Sequence, residues 1–281
     1  MTQALPFANL RIVLVQTYHP GNIGSAARAM KTMGLTDLVL VNPRVFPDEE
    51  ATRLAAGAAD VVENARVVER LEDAIDDCVR VVGASARLRS LPLPHYDEPD
   101  EMAQALVKDA VHDPVALVFG RERFGLTNDE IRLCSHQVSI PANPDYGILN
   151  LSQAVQVLAY ELRRAWRRLP CPDVDAAVDR DADTDTDTDT DTDTDTDNVA
   201  TSGTPSRLRQ PTREQVAHFQ AHLGRVMRDS GFITQPHART EEQLQALFAR
   251  ATPTRKELSL LRGLLSSLEA HLPPSSDDRQ D

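Results

Sequence analysis

The chain has 281 residues, of which 41% are hydrophobic, enough for one large domain or for a medium and a small one. Its net charge of −13 is concentrated in residues 173–197, which carry twelve Asp and one Arg, whereas residues 207–272 carry ten Lys or Arg and six Asp or Glu. The sequence has no apolar run of transmembrane length, no signal-peptide pattern at its start, and three cysteines without a C-x-x-C pair. These features predict a cytoplasmic protein without a disulfide framework or a zinc site.

Short apolar runs rich in β-branched residues alternate with helical patterns as far as about residue 168. The runs predict strands at 11–16, 37–42, 79–84, 115–119 and 136–140. The helical patterns predict helices at 22–33, 48–58, 70–77, 98–111, 127–134 and 150–168. Thr127 followed by Glu130 is a capping-box signature at the start of one of them. This alternation predicts an α/β fold with a mainly parallel sheet over residues 1–169.

An acidic, low-complexity segment follows the predicted α/β domain. Residues 183–197 are an uninterrupted Asp-Thr repeat that has dense like charge and no apolar side chain to bury. Such a composition does not support a packed core, so residues 170–210 are predicted to be a disordered linker. A disordered tail is likewise predicted for residues 273–281.

Helical periodicity returns in residues 211–272, which predict a small all-α domain. Helices are expected at 212–229, 240–250 and 254–271, with Thr212 and Thr240 as N-caps. The excess of basic residues in this domain is what a nucleic-acid contact requires. An ordinary solvated helical surface has the same composition, so both interpretations stay open.

Several common catalytic motifs are missing from the sequence. No G-x-G-x-x-G follows the first strand, and neither G-x-x-x-x-G-K-[ST] nor G-x-S-x-G occurs. The eight histidines are scattered, and the helical pair His218 and His222 has no third ligand nearby in the sequence. No metal site is therefore predicted, and dinucleotide-binding, P-loop and serine-hydrolase functions are disfavoured.

Three Gly- or Pro-containing segments follow predicted strands and carry the remaining chemical signals. They are residues 19–34, 119–127 and 140–152. Open α/β sheets bind ligands at the carboxyl ends of their strands, where all three segments would lie. The first segment predicts a helix of small residues with Arg28 among them, and small residues let a backbone or a ligand approach closely. The guanidinium of Arg28 is then either an ion-pair partner or a functional group.

In this order the three segments resemble the motifs of the SPOUT RNA methyltransferases, in the SpoU/TrmH branch. The first motif, N-x-G-x-x-x-R, corresponds to Asn22, Gly24 and Arg28. The second is the F-G-x-E-x-x-G-L run at 119–126, and the third is the I-P…L-N-L-S-x-A run that ends at Ala154. The basic helical extension resembles that of tRNA-methylating members of this branch. Together the three motifs are a specific signature.

The resemblance implies a deep trefoil knot at the carboxyl edge of the sheet, whose loops form a pocket for S-adenosylmethionine. Carried over by position, the cofactor contacts are Ala84, Ser85, Ala86, Gly120, Ile140, Gly147, Ile148 and Leu149. Small residues suit such a pocket because they allow main-chain hydrogen bonds to the ligand. One position departs from the family pattern: a serine usually precedes Leu-Asn, and Ile148 stands there instead. A hydroxyl contact to the cofactor is therefore lost.

The resemblance also implies the catalytic and RNA-binding residues. Arg28 is the family's catalytic arginine, and Asn22 belongs to the same motif. Because a guanidinium is a donor with a pKa above about 12, stabilising the developing alkoxide and holding a phosphate is a simpler role for it than proton abstraction. His19 and Tyr146 are candidates to accept the proton, and a turn residue that caps the helix is the alternative for His19. Candidate RNA contacts are Arg87, Arg121, Arg123 and Asn143, although each arginine is as readily explained by a surface ion pair.

The function implied is S-adenosylmethionine-dependent 2′-O-methylation of a cytidine or uridine in tRNA, at position 32, the first nucleotide of the anticodon loop. The alternatives are the same reaction on ribosomal RNA and a non-catalytic RNA-binding protein with this fold. Family members act as homodimers, so a homodimer is expected. The apolar stripe of helix 150–168 would bury either a dimer interface or its own sheet. Glu122 is expected to orient an arginine or a partner subunit.

Overall fold

The computed structural model describes residues 6–86, 93–169, 209–233 and 238–272. Its strands are β1 (Leu10–Val15), β2 (Asp37–Val41), β3 (Arg66–Val68), β4 (Arg80–Ala84), β5 (His95–Tyr96), β6 (Val115–Phe119) and β7 (His136–Val138). They form one sheet in the order β3-β2-β1-β6-β4-β7-β5, in which all neighbouring strands are parallel. The predicted parallel α/β sheet is confirmed. Strands β3 and β5 were not predicted, because three and two residues are too few to show a period.

Helices connect the strands and form the C-terminal region. They are α1 (Pro20–Met33), α2 (Glu49–Ala55), α3 (Ala59–Glu63), α4 (Glu72–Ile75), α5 (Pro99–Ala110), α6 (Asn128–Leu133), α7 (Leu151–Trp166), α8 (Arg213–Asp229), α9 (Ala238–Ala251) and α10 (Arg255–Glu269). Among the described helices, none combines the length and the hydropathy needed to cross a bilayer.

The central strands β1 and β6 are buried on both faces. On β1, Ile12 and Leu14 belong to a core that α1, α5 and α7 cover, while Val13 and Val15 belong to a second core beneath α4 and α6. A strand with helices on both faces has no polar side, which explains its continuous apolar run. The stripe of α7 residues Leu151, Val155, Leu158 and Leu162 lies in the first core. That stripe therefore buries the chain's own sheet, the second of the two expected roles.

The small residues of α1 allow a neighbouring helix to approach closely. A Cβ atom added at Gly24 would lie 2.0 Å from the backbone carbonyl oxygen of Ala51 in α2. Glycine at position 24 is therefore required by helix–helix packing. The side chain of Arg28 is exposed on the same helix.

The helix boundaries differ from the sequence predictions in three places. The predicted helix 48–58 divides into α2 and a 3₁₀ turn, because Ala56 adopts a positive φ of 49°. The predicted helix 70–77 shortens to the four residues of α4. Thr240 is not an N-cap, because α9 already begins at Ala238. By contrast, capping boxes at Thr127, Thr212 and Thr254 begin α6, α8 and α10.

The C-terminal helices pack on one another and on the α/β domain. Phe219, Val226, Leu258 and Leu265 form their buried core. The start of α8 bonds directly to the α/β domain: the backbone N–H of Arg213 donates to the carbonyl of Cys78 at 2.9 Å, and its guanidinium donates to the carbonyl of Leu133 at 3.1 Å. Arg209 and Gln210, the end of the predicted linker, accept hydrogen bonds from Arg255. The rest of that linker, the predicted tail 273–281 and Arg87 lie outside the described residues.

Candidate active site

The three motif segments lie at one edge of the sheet. In the strand register, Leu14 is aligned with Phe119, and Ala84 is aligned with Phe119 on one side and Val138 on the other. Because these strands are parallel and end at nearly the same level, their carboxyl ends lie side by side. The residues that follow β1, β4, β6 and β7 therefore meet at this edge, as the sequence predicts.

Asn22 joins the three motifs. Its amide nitrogen donates to the Glu122 carboxylate at 2.9 Å, and its amide oxygen accepts from the side chain of Asn150 at 3.2 Å. The first motif thus bonds to the second through Glu122 and to the third through Asn150. An amide engaged on both its nitrogen and its oxygen fixes neighbouring loops in place. Asn22 is therefore a positioning residue, because its contacts hold the loops of the three motifs together.

Glu122 receives two further hydrogen bonds from the loop between β1 and α1. The backbone N–H groups of Tyr18 and His19 donate to its carboxylate at 3.0 Å and 3.1 Å. Partial burial alone would raise the pKa of Glu122, but the bonds from Asn22, His19 and Tyr18 outweigh it and hold that pKa below its ordinary value. Glu122 therefore stays ionised and orients the start of α1, whereas the sequence expectation assigned it to an arginine or a partner subunit.

Arg28 is available for a ligand. Its side chain is exposed, and within the described part of the chain it makes no hydrogen bond or ion pair. The alternative that Arg28 is an internal ion-pair partner is therefore not supported. His19 is the N-cap residue of α1 by its backbone, but its side chain makes no capping hydrogen bond and its ring contacts Tyr18. Tyr146 is 86% exposed.

The expected cofactor residues surround the ends of β4, β6 and β7. The backbone N–H of Ser85 donates to the carbonyl of Val138 at 2.9 Å, which joins the chain after β4 to the end of β7. Gly120 leaves no room for a side chain, because a Cβ there would lie 2.1 Å from the backbone of Gly125. A Cβ added at Gly147 would lie 2.9 Å from the carbonyl oxygen of Asn143. Both glycines are required by tight loops.

This edge offers a donor set that fits S-adenosylmethionine. Backbone N–H and C=O groups can bond to polar groups of a nucleoside, and apolar side chains can cover its ring. Ala86 is exposed, Ala84 and Leu149 are half-buried, and Ile148 is 71% exposed. No cluster of three or more His, Cys, Asp or Glu side chains placed to hold a metal ion occurs among the described residues.

The candidate RNA contacts fall into two groups. Arg121 forms a two-pronged ion pair with Glu130, with both distances 2.9 Å, and also donates to the side chain of Gln16. This geometry favours the ion-pair alternative for Arg121. Arg123 and Asn143 are exposed, and Asn143 accepts the backbone N–H of Asp145.

Sequence reasoning missed Asn150 as a site residue. It is the N-cap of α7, where its side-chain oxygen accepts the N–H of Ser152 at 2.9 Å. This cap leaves the amide nitrogen free to reach Asn22. An Asn at a predicted helix start that also lies in a motif is the signal that could have identified it.

Comparisons with known proteins agree with this geometry. Residues 9–160 match the model of the SpoU rRNA Methylase family, and residues 214–278 match that of the tRNA methyltransferase TrmJ C-terminal domain. The chain is 47% identical to the tRNA (cytidine/uridine-2′-O-)-methyltransferase TrmJ of Citrobacter koseri, over 93% of this chain and 96% of that protein. The TrmJ relative from Salmonella typhimurium has the same identity and coverage.

Solved structures extend the likeness to the whole fold. The crystal structure of TrmJ from Z. mobilis ZM4 matches with a TM-score of 0.71 and 29% identity, covering 93% of this chain and 100% of that one. A probable methyltransferase from Bordetella pertussis matches with a TM-score of 0.54 and 44% identity, over 59% of this chain and 99% of that one. Because the relatives match both the sheet domain and the C-terminal helices, the chain belongs to the SpoU methylase family and, within it, to the TrmJ proteins.

Proposed function

We propose that this protein transfers a methyl group from S-adenosylmethionine to the ribose 2′-oxygen of a cytidine or uridine in tRNA, at the first nucleotide of the anticodon loop. The observation that carries the proposal is the network of Asn22, Glu122 and Asn150, which joins the three motifs and fixes the start of the helix that presents Arg28. The relatives' names specify tRNA, so ribosomal RNA is the less favoured substrate.

The proposed chemistry requires alignment and removal of one proton. When bound, S-adenosylmethionine supplies a methyl group on a sulfonium, which is already activated for transfer. The guanidinium of Arg28 would donate hydrogen bonds to the developing alkoxide and the adjacent phosphate, as a planar fork of donors does. The proposed acceptor of the 2′-hydroxyl proton is the neutral imidazole of His19 or, in its phenolate form, Tyr146. Asn22, Glu122 and Asn150 act by holding the loops that carry these groups.

The proposed cofactor site lies at the carboxyl edge of the sheet, at the ends of β4, β6 and β7. Its members are Ala84, Ser85, Ala86, Gly120, Ile140, Gly147, Ile148 and Leu149. Main-chain groups would bind the polar parts of the cofactor, and the exposed surface of Ile148 would cover an apolar part. Contacts from Arg87, Arg123 and Asn143 to RNA complete the proposed site.

We also propose that this chain has three finer features of the family: the trefoil knot, the homodimer and the cytoplasmic location. We further propose that its domains and linker end at residues 169, 210 and 272. The strand order supports the knot. Strand β7 lies between β4 and β5, although β4 and β5 follow each other in sequence. A later strand is thus inserted between two strands that are consecutive in sequence, an arrangement that is compatible with a knot.

The test is a methylation assay with the full-length protein, S-adenosylmethionine and unmodified tRNA transcripts, followed by nucleotide-resolution mapping of ribose methylation. We expect one new 2′-O-methyl group, at the first anticodon-loop nucleotide. A matched transcript with a 2′-deoxyribose at that nucleotide should accept none. Methylation elsewhere in tRNA would refute the position, and methylation of ribosomal RNA alone would refute the substrate class.

A further inference from the structure

The loops after β1 and β2 place an aromatic ring and a cation together beside the network. The side chain of Tyr18 is 56% exposed, and the guanidinium carbon of Arg44 lies 5.5 Å from the centre of its ring. The ring of His19 contacts Tyr18 edge-on, with 5.0 Å between ring centres. Arg44 is itself exposed, and no carboxylate of the described residues pairs with it. The Tyr18–Arg44 pair is thus an exposed apolar and cationic surface.

Hydrogen bonds hold both members of this pair through their backbones. The N–H of Arg44 donates to the carbonyl of Thr17 at 3.0 Å, and the N–H of Tyr18 donates to Glu122 at 3.0 Å. Single exposed aromatic side chains are common and need no explanation. This one is fixed to the same carboxylate that orients Asn22, and a cation lies over it. Its position is therefore set by the candidate active site.

We propose that Tyr18 and Arg44 form a stacking shelf for one unpaired nucleobase of the RNA, either that of the methylated nucleotide or that of an immediate neighbour. Proteins recognise RNA loops by stacking unpaired bases on aromatic rings and on arginine guanidinium planes. The shelf offers both groups at one place. This inference rests on the proposed function and identifies which part of the substrate the β1 and β2 loops contact.

The separation of Arg28 from the start of α1 is compatible with a base at or next to the target ribose. Arg28 follows Pro20, the first residue of α1, by eight positions, which corresponds to about 12 Å along a helix axis. The Cα–Cβ bonds of a helix tilt toward its N-terminus, which is the end of α1 that follows Tyr18 in the chain. The shelf would hold the base while Arg28 binds the ribose or its phosphate.

The experiment compares full-length Tyr18→Ala, Tyr18→Phe and Tyr18→Trp with the unaltered protein. Both tRNA affinity and kcat/KM for methylation are measured. We expect Tyr18→Ala to weaken affinity and kcat/KM by about tenfold or more, the effect typical of losing one stacked base. Phe and Trp should restore most of the loss because each supplies a ring. Val45→Ala, a change at a 47% exposed residue of the Arg44 loop, is the control and should have little effect.

tRNA substrates that lack one base distinguish a stacking role of Tyr18 from a structural role. The same variants are tested on tRNA made abasic at the target nucleotide or at either neighbour. At one of these positions the penalty of Tyr18→Ala should disappear, because the stacking partner is absent. A penalty that persists at all three positions, or no rescue by Phe and Trp, would overturn the shelf. Binding reports on the shelf even without turnover, whereas absence of methylation by the unaltered protein would refute the proposed function instead.

Discussion

The two sides of the candidate active site differ in how firmly they are held. On the β1 side, Glu122 accepts hydrogen bonds from Tyr18, His19 and Asn22, and Asn150 bonds to Asn22 as well. On the β7 side, Tyr146 and Ile148 project into solvent with 86% and 71% of their surface exposed. Hydrogen bonds within the chain therefore hold the side that presents Arg28. On the side expected to bind the cofactor, the side chains of Tyr146 and Ile148 are not covered by the described residues.

Arg28→Ala gives the sharpest test of this difference, and we expect the largest effect from it. Removing one donor to a developing oxyanion typically lowers the rate about 100- to 1,000-fold. Because Arg28 has no partner among the described residues, folding and cofactor affinity should change little. Methylation assays and calorimetry with S-adenosylmethionine measure the two effects. Arg53→Ala, which removes an exposed arginine of α2, is the matched control. Equal loss of cofactor binding would mean that Arg28 is a pocket residue.

Glu122→Ala should lower activity and also stability, because three donors on the β1 side lose their acceptor. Losing the partner of a polar group costs about 1–3 kcal/mol where that group is buried, and less where water replaces it. Thermal unfolding and methylation assays measure both effects. Glu63→Gln changes an exposed carboxylate of α3 and is the control. An unchanged melting temperature together with unchanged activity would show that the β1 side is not held by Glu122.

The pKa of Glu122 gives this prediction a pH dependence. The pKa is lowered in the folded protein, so the contribution of the carboxylate to stability is fully present above its unfolded value of 4.5. The contribution is lost as the pH falls from 4.5 through the folded pKa, where the folded protein takes up the proton. In urea titrations across this range, the stability gap between the unaltered protein and Glu122→Ala should narrow on acidification. A constant gap would contradict the assigned hydrogen bonds.

The C-terminal helices lie outside both the β1 side and the β7 side of the candidate active site. We therefore expect substitutions in these helices to change tRNA affinity only. Lys256 and Arg262 are exposed on α10 and have no partner among the described residues. If both contact phosphates, changing both to Gln should reduce the salt dependence of tRNA binding by about 1.4 in log–log slope. Filter binding at several salt concentrations measures this slope. Arg228→Gln is the control, because Arg228 already pairs with Glu241. An unchanged slope would favour an ordinary solvated surface.

Ile148→Ser tests the β7 side of the candidate active site, and we expect the smallest effect from it. The hydroxyl would restore the side chain that the family pattern has at this position. One hydrogen bond of about 0.5–1.5 kcal/mol corresponds to a roughly two- to tenfold tighter affinity for S-adenosylmethionine than that of the Ile148→Ala variant. Calorimetry measures it, and Ile148→Ala separates the hydroxyl from the loss of apolar surface. Equal affinities of the Ser and Ala variants would show that the hydroxyl finds no partner.

Periodicity and motifs predicted the part of this molecule that depends on local patterns. The buried runs of β1 and β6 and the Thr127 capping box were foreseen, as was the gathering of three loops at one edge. The short strands β3 and β5 were not, because their formation depends on neighbouring strands. The same reason applies to the site: Asn150 meets Asn22 across 128 positions of sequence, and no local pattern reports such a contact.

Gly24 influences the position of Arg28 through the packing of α1 against α2. Any side chain at position 24 would collide with the carbonyl of Ala51, so α1 would move away from α2. Arg28 lies one helical turn further on and would move with the helix. Position 24 therefore sets the spacing between α1 and α2. If Arg28 has the proposed role, we expect even one added methyl group at position 24 to lower activity by displacing that guanidinium.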